Sequence, residues 1–218
     1  MQRIVVALVL AIASAATCAQ PSKGKSVEHV WNELYSKREG VEHPYNRFLA
    51  DTVKNMRPGR ALDIGMGQGR NALFLAERGW QVTGFDISPV AVRQAQAEAR
   101  KRGLRLDAQV ADVDKFDYGK ERWDLVVGMY MHDYIIRNAD KIVASMKPGA
   151  VLVVEGIHRD VAKLNLDGEK YGHRSNDLIR YFAKLRVRHY EDRMDKADWE
   201  RSGGKPVPIV RMLAVNQP

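Results

Sequence analysis

Apolar positions change their spacing three times along the chain. Val27, Val30, Trp31, Leu34 and Tyr35 recur three and four residues apart, which predicts an amphipathic helix after a polar stretch at 20–26. Residues 40–44 interrupt the pattern, and Phe48, Leu49, Val53 and Met56 mark a second helix that stops at Pro58-Gly59. From there the spacing becomes short apolar runs bounded by Gly, Pro and Asp. Strands are predicted at 61–64, 81–85, 104–110, 123–128 and 151–155, with helices at 71–78, 89–102 and 133–146 between them. Short, wholly apolar strands alternating with helices are what a parallel sheet covered on both faces requires.

The last third reads differently. Residues 156–176 are polar and hold Gly168 and Gly172, so a long loop or lid is predicted there. A helix follows at 177–184. Residues 185–191 and 208–215 then alternate like two strands joined through Ser202-Gly203-Gly204. The expected fold is α/β: a seven-stranded, mostly parallel sheet that ends in an antiparallel C-terminal hairpin, with helices on both faces.

Composition adds bounds. At 218 residues and 45% apolar content the chain can bury one sizeable core, and a single domain is expected over 27–218. The net charge of +8 is spread among interspersed acidic residues with no long run of Lys or Arg, so a basic surface is expected and no nucleic-acid partner. Arg3, the apolar run at 4–13 and the small residues through Ala19 have the plan of a secretory signal peptide over 1–19. That run is shorter than the roughly 20 residues a membrane span needs, so cleavage and export, with no membrane span left behind, are expected, and the periplasm is the expected location. Cys18, the chain's one cysteine, offers a lipid anchor as an alternative, although Ala15 and Thr17 fit a lipidation box poorly.

The chemistry gathers at one turn. Leu62-Asp63-Ile64 ends a strand, Gly65-Met66-Gly67-Gln68-Gly69 turns, and a helix opens at Arg70-Asn71. Glycines let the backbone turn tightly and approach a ligand closely, and the helix N-terminus offers free N–H groups to an anionic group. Asp86, 21 residues beyond Gly65 at the end of the next strand, is placed to accept ribose hydroxyls. Ser88-Pro89 then caps a helix directly beyond it. Ala111-Asp112-Val113 closes the third strand, putting a carboxylate and an apolar wall where an adenine would lie; a plain turn cap is the alternative for Asp112. Dinucleotide sites prefer glycine where this chain has Arg70.

The run LDIGMGQGRNALFLAERGWQVTGFDIS resembles motif I and its continuation in class I S-adenosylmethionine-dependent methyltransferases. Its GRN-x-x-x-L-A variant is similar to the group that includes the tellurite-resistance methyltransferases, and the resemblance extends from about Trp31 to Met212. It implies a Rossmann-like sheet and S-adenosyl-L-methionine as cofactor. Gly65 and Gly67 would then approach the methionine part, Asp63 its amino group, Asp86 the ribose, Ile87 and Val113 the adenine faces, and Asp112 the adenine amino group. Met66 stands where the group often has Cys; a backbone contact needs neither side chain.

The acceptor side is expected after the fourth strand, in 128–134. Gly128 or Met129 should meet the methionine end of the cofactor through the backbone. His132 is the first candidate base, with a helix-packing role as its equal alternative, and His158 is the second. Tyr130 would shape the acceptor pocket or pack. Trp31, Tyr35 and Tyr45 would close over the site, if they are not simply core. No Asn-Pro-Pro-Tyr-like tetrapeptide follows the fourth strand, no cysteine lies in the domain, and the carboxylates form no recognisable metal set. Direct in-line methyl transfer to a small molecule, without a metal, is the function expected. The alternatives are an exported S-adenosylmethionine- or nucleotide-binding protein without turnover, and an NAD-dependent oxidoreductase, against which Arg70 and Asp112 count.

Overall fold

The structure is a computed structural model and describes residues 25–38, 41, 44–164, 172–198 and 205–217. The leader, Cys18, Gly168 and the Ser202-Gly203-Gly204 connection lie outside the described residues.

Two helices precede the sheet. Helix α1 (Val27–Ser36) is capped by the Ser26 hydroxyl, which accepts from the His29 N–H, and α2 (Arg47–Val53) by Asn46, whose side chain accepts from the Leu49 N–H. Strands and helices then alternate as β1 (Arg60–Ile64), α3 (Arg70–Glu77), β2 (Gln81–Asp86), α4 (Pro89–Lys101), β3 (Asp107–Val110), β4 (Trp123–Met129), α5 (His132–Arg137), α6 (Ala139–Ser145) and β5 (Met146–Ile157). A short 3-10 helix (Arg159–Leu164), α7 (Asp177–Tyr181), β6 (Arg186–Asp195) and β7 (Val207–Val215) complete the chain.

The strands form one seven-stranded sheet in the order β3-β2-β1-β4-β5-β7-β6. Pairs among β1 to β5 are parallel, and β7 runs antiparallel to both β5 and β6. After β1 the chain builds outward to β3, then returns to place β4 on the other side of β1. Where the strand order reverses, the connections leave β1 and β4 in opposite directions, and a crevice opens at their C-terminal ends. Each central strand sends alternate residues to two cores: Leu62, Val126 and Leu152 join Phe85, Ile135 and Phe182 on one face, while Ala61, Leu125 and Val153 join Leu49, Phe74 and Val92 on the other. Burial on both faces is why these strands read as unbroken apolar runs.

The structure departs from the sequence expectation in four places. The helix expected at 133–146 is two helices, because Asn138 donates its side-chain amide to the Tyr134 carbonyl (3.0 Å) and to Asp114 Oδ1 (2.8 Å), which breaks the helix there. Met146 already belongs to β5, whose pairing with β4 skips from Met146 to Val151 past Lys147-Pro148-Gly149. Leu104 closes the end of α4 through its N–H to the Ala99 carbonyl, so β3 begins at Asp107. Finally, the flanks of the expected lid are ordered: Gly156 and Ile157 continue β5, the 3-10 helix follows, and His158 bridges to His173.

The alternation gives a direct test. Leu152, fully buried in the centre of the sheet, should lose about 2–5 kcal/mol of stability on replacement with Ala, whereas Val110→Ala at the exposed edge should change it by less than about 0.5 kcal/mol. Urea midpoints of the two variants check this; equal effects would contradict the two-core arrangement.

Candidate cofactor and acceptor site

The glycine turn follows β1 at the crevice. Gly65, Gly67 and Gly69 have φ of 64°, 56° and 84°, the left-handed region that glycine enters without a Cβ penalty. Met66 anchors the turn. Its N–H donates to the Phe85 carbonyl (2.9 Å), and its side chain points away from the crevice, onto Gly84 of β2, where a Cβ would lie only 2.4 Å from its sulfur. Met66 therefore offers a ligand its backbone alone.

Two carboxylates face this turn. Asp86 is 8% exposed; its Oδ2 accepts from the Gly67 N–H and its Oδ1 from the Ser88 N–H, both at 2.9 Å. Burial outweighs these bonds and pushes its pKa up to about 6. Asp63 is 2% exposed, and its Oδ2 is buried without a hydrogen-bond partner among the described residues. Burial pushes its pKa up to about 7, with the Arg70 guanidinium and the Ala72 N–H pulling the other way. A buried acceptor with no donor is costly, and an ammonium group is the complement that would satisfy it. Asp63, Gly65, Gly67 and Asp86 thus fit the amino-acid and ribose portions of S-adenosylmethionine.

Helix α1 roofs the turn. A Cβ on Gly67 would stand 2.7 Å from the Tyr35 hydroxyl oxygen, and one on Gly65 would stand 2.1 Å from the Met131 sulfur. Polar contacts hold the roof down: the Ser88 hydroxyl donates to Asn32 Oδ1 (2.6 Å), and the Gln94 amide donates to the carbonyls of Tyr35 (3.1 Å) and Arg38 (2.9 Å). Trp31 stacks on Tyr35. Tyr45 does not close over the turn; its ring packs on Phe74, with Arg78 beside it.

The remaining cofactor candidates flank this centre. Ile87 is half-buried between Asp86 and Ser88. The Ala111 N–H donates to the Asp86 carbonyl (2.9 Å), which brings the end of β3 alongside. There Asp112 Oδ1 accepts from the Asp114 N–H (2.9 Å), as a turn cap does, and Val113 is buried in the core with its carbonyl accepting from the Tyr118 hydroxyl. Met129 ends β4 with its side chain in the other core.

Beyond β4 the backbone is strained, with φ of 60° at Tyr130 and 39° at His132. Tyr130 is locked to Glu155: its N–H donates to the Glu155 carbonyl (2.6 Å) and its hydroxyl to Glu155 Oε1 (2.5 Å). Burial and the Glu155 charge raise the Tyr130 pKa well above its ordinary value, so the phenol keeps its proton. The Glu155 carboxylate, itself fully buried, also accepts from the Asn46 amide (2.8 Å) and Arg211 Nε (2.6 Å). The Asn46 N–H in turn donates to Asn71 Oδ1 (2.8 Å), and the Arg70 guanidinium donates to the Pro44 carbonyl (2.9 Å). His132 turns inward. Its Nε2 accepts from the Ile157 N–H (3.3 Å), its ring lies against His173, and burial pushes its pKa down to about 3. His158 has both ring nitrogens engaged, Nδ1 with the Asp160 N–H (3.0 Å) and Nε2 with the Ser175 hydroxyl (3.2 Å).

The structure therefore gathers Asp63, the glycines and Asp86 in the crevice, sets Ile87, Asp112, Val113 and Met129 at its margins, and turns His132 toward His173 and the His158 ring toward Asp160 and Ser175. It adds residues that sequence reasoning did not single out: Asn32, Asn46, Met131, Glu155 and Arg211. Glu155 had a visible signal, a lone carboxylate inside the apolar run VLVVEGI. Among the described residues, no group of three or more His, Cys, Asp or Glu is placed to hold a metal ion, and no helix is long and apolar enough to cross a membrane.

Strand order, glycine turn and the two carboxylates define a nucleotide-cofactor domain of the doubly wound α/β kind. Residues 61–149 match the family model for a methyltransferase domain, and over these residues the chain is a class I S-adenosylmethionine-dependent methyltransferase domain. That match sets aside the NAD-dependent oxidoreductase. Among curated proteins the chain is 24% identical over 190 residues to Hemagglutinin 1 of Eikenella corrodens, covering 84% of this chain and 62% of that one. It is 24% identical over 152 residues to the Probable S-adenosyl-L-methionine-dependent methyltransferase TehB of Haemophilus influenzae, covering 67% of this chain and 52% of that one. The chain thus spans somewhat more than half the length of these two relatives. The crystal structure of TehB from Haemophilus influenzae shares the fold, with a TM-score of 0.69 at 19% identity over 86% of this chain and 67% of that one.

The buried carboxylate of Asp63 makes stability depend on pH. Its folded pKa of about 7 lies above the ordinary 3.8, so between those values the native state holds a proton that the unfolded chain releases, and stability falls as pH rises. Asp63→Asn removes this loss. Relative to the unsubstituted protein without cofactor, the variant should gain stability progressively from about pH 4 to about pH 7 and no further above it; a pH-independent difference in urea midpoints would contradict the assignment.

Proposed function

We propose that this chain transfers the methyl group of S-adenosyl-L-methionine to a small molecule by direct in-line attack. The observation that carries the reading is the unpartnered Asp63 oxygen beside a glycine turn whose Gly67 N–H is already shared with Asp86. The cofactor supplies a methyl group activated by its sulfonium, so the protein's task is to hold, orient and exclude water.

Each part of that task has residues. Asp63 would take the ammonium group, the turn from Gly65 to Gly69 would take the carboxylate against the first N–H groups of α3, and Asp86 would exchange its Gly67 bond for ribose hydroxyls. Asn32 and Tyr35 on α1 cover the turn and keep water from it. The Met131 thioether rests on Gly65 and would have to swing aside as a ligand settles there. Tyr130, fixed by Glu155, forms a rigid wall beside the acceptor. We assign no proton removal to His132 or His158: the first is neutral, buried and bonded through Nε2, and the second has both nitrogens occupied. The acceptor would then arrive as a competent nucleophile. A space roofed by one helix suits a small molecule better than a macromolecular chain.

Asp86→Ala should abolish cofactor binding measured by calorimetry, because it removes the ribose acceptor and the partner of the Gly67 and Ser88 N–H groups; binding at the unsubstituted affinity would show the site to be misplaced. A screen with labelled cofactor against small thiols, amines, phenols and chalcogen oxyanions should yield a methylated product. Tight binding of cofactor with no product from the screen or from cell extract would favour the binding protein without turnover.

We also propose that residues 1–19 direct export to the periplasm. Their composition supports this: a basic start, an apolar run and small residues before the cut. Full-length protein should be recovered from the periplasmic fraction with a new N-terminus near Gln20, and a chain lacking residues 2–19 should remain in the cytoplasm. Recovery of uncleaved protein in the cytoplasm, or lipid on Cys18, would overturn this.

A further inference from the structure

A second cavity, of about 300 Å³, lies apart from the glycine turn and shares no residue with it. Its walls come from three separate segments: Asp133, Ile136 and Arg137 of α5, Arg159 at the start of the 3-10 helix, and Arg174, Asp177, Arg180 and Tyr181 at α7. Four guanidinium groups around so small a space repel one another unless negative charge joins them.

The protein's own carboxylates account for three. Asp114 takes Arg137 from outside the cavity (Nε–Oδ1 2.9 Å), Asp177 takes Arg180 (2.8 Å), and Asp133 holds Arg159 loosely, at 3.3 and 3.4 Å from one guanidinium nitrogen. Arg159 is also anchored by its Nε to the Gly172 carbonyl (3.1 Å). Arg174 is the fourth. Its side chain is exposed and has no carboxylate partner among the described residues, yet its backbone is fixed, because its N–H donates to Asp177 Oδ2 (2.9 Å) and it follows the fully buried His173. An arginine with no carboxylate partner among the described residues, on a pinned backbone and lining the same cavity as a loosely paired one, offers forked N–H donors suited to a carboxylate or phosphate. Ile136 and the Tyr181 ring add apolar wall, enough for the carbon body of a small molecule.

We propose that this cavity is a binding site for a small organic polyanion, held through a carboxylate or phosphate group by Arg174 and Arg159. Asp133 marks the start of α5 just past β4, and Arg159 stands two residues past β5, so the site opens on the same edge of the sheet as the cofactor crevice. The proposal goes beyond methyl transfer and does not depend on it.

Calorimetric titration of the full chain, without cofactor and at low ionic strength, tests it with citrate and with inorganic phosphate as separate probes. Saturable one-to-one binding of either is expected, citrate alone assigning the site to carboxylates and phosphate alone to phosphates. Arg174→Gln, at an exposed position where folding is retained, should weaken that binding about tenfold or more. Asp133→Asn should tighten it by removing the competing carboxylate. Lys101→Gln, on the far end of α4, should leave it unchanged and so separate a site from the general basicity of the surface. Absence of saturable binding by both probes, an unchanged Kd in Arg174→Gln, or equal weakening by Lys101→Gln would each overturn the proposal. A negative result here leaves the methyl-transfer reading intact, since cofactor binding by the same protein is measured separately.

Discussion

The site is organised by one wholly buried carboxylate. Glu155 stands in the middle of the sheet, where an unpaired charge would be severely penalised, and it persists because Asn46, Tyr130 and Arg211 all donate to it. These partners come from the loop before α2, the turn after β4, and β7. One side chain therefore fixes the start of α2, the acceptor wall and the antiparallel strand relative to each other. Arg211 carries the network outward to Glu191 and Asp195 on the edge strand, where solvent shares the charge. A glutamine could accept from some of these donors but would leave the Arg211 guanidinium without its buried counter-charge.

Asp63 and Asp86 show the opposite solution to the same problem. They are nearly as deeply placed as Glu155, yet neither forms an ion pair among the described residues, and both have pKa values pushed up by burial. The contrast separates structure from function within one sheet. A carboxylate paired with a cation holds elements together, and a buried one without such a pair is placed to take a ligand. The fold tolerates the second kind because the rest of each strand is packed into two apolar layers that supply the stability these positions withhold.

Much of this was legible in the sequence, for physical reasons that differ by element. The glycine turn and Asp86 were readable because strand, turn and helix lengths fix where a side chain at the end of β2 must fall. The central strands were readable because double-sided burial leaves few polar positions in them. The break at Asn138 was not readable, since it depends on Asp114, distant in sequence, competing for the same amide. Tyr45 misled because an aromatic ring at an entry loop can cover a ligand or pack on a helix, and only the position of Phe74 decides. His132 had the right residue type at the right place, but the left-handed backbone there rotates the ring under β5 instead of into the crevice. Glu155 and Arg211 lie on different strands, so their pairing is visible only once β7 is seen to run antiparallel beside β5.

Helix α1 has no fully buried residue and is held across α4 largely by hydrogen bonds from Ser88 and Gln94. Each such bond contributes only about 0.5–1.5 kcal/mol net in water. Lifting this roof would leave both apolar layers intact, so cofactor exchange by that route would be a local opening of the kind loosely packed elements undergo. Amide hydrogens of α1 would trade with solvent on a much faster clock than those of β4 and β5. Departure of spent cofactor would then pass through the first helix, separately from the residues that align the methyl group.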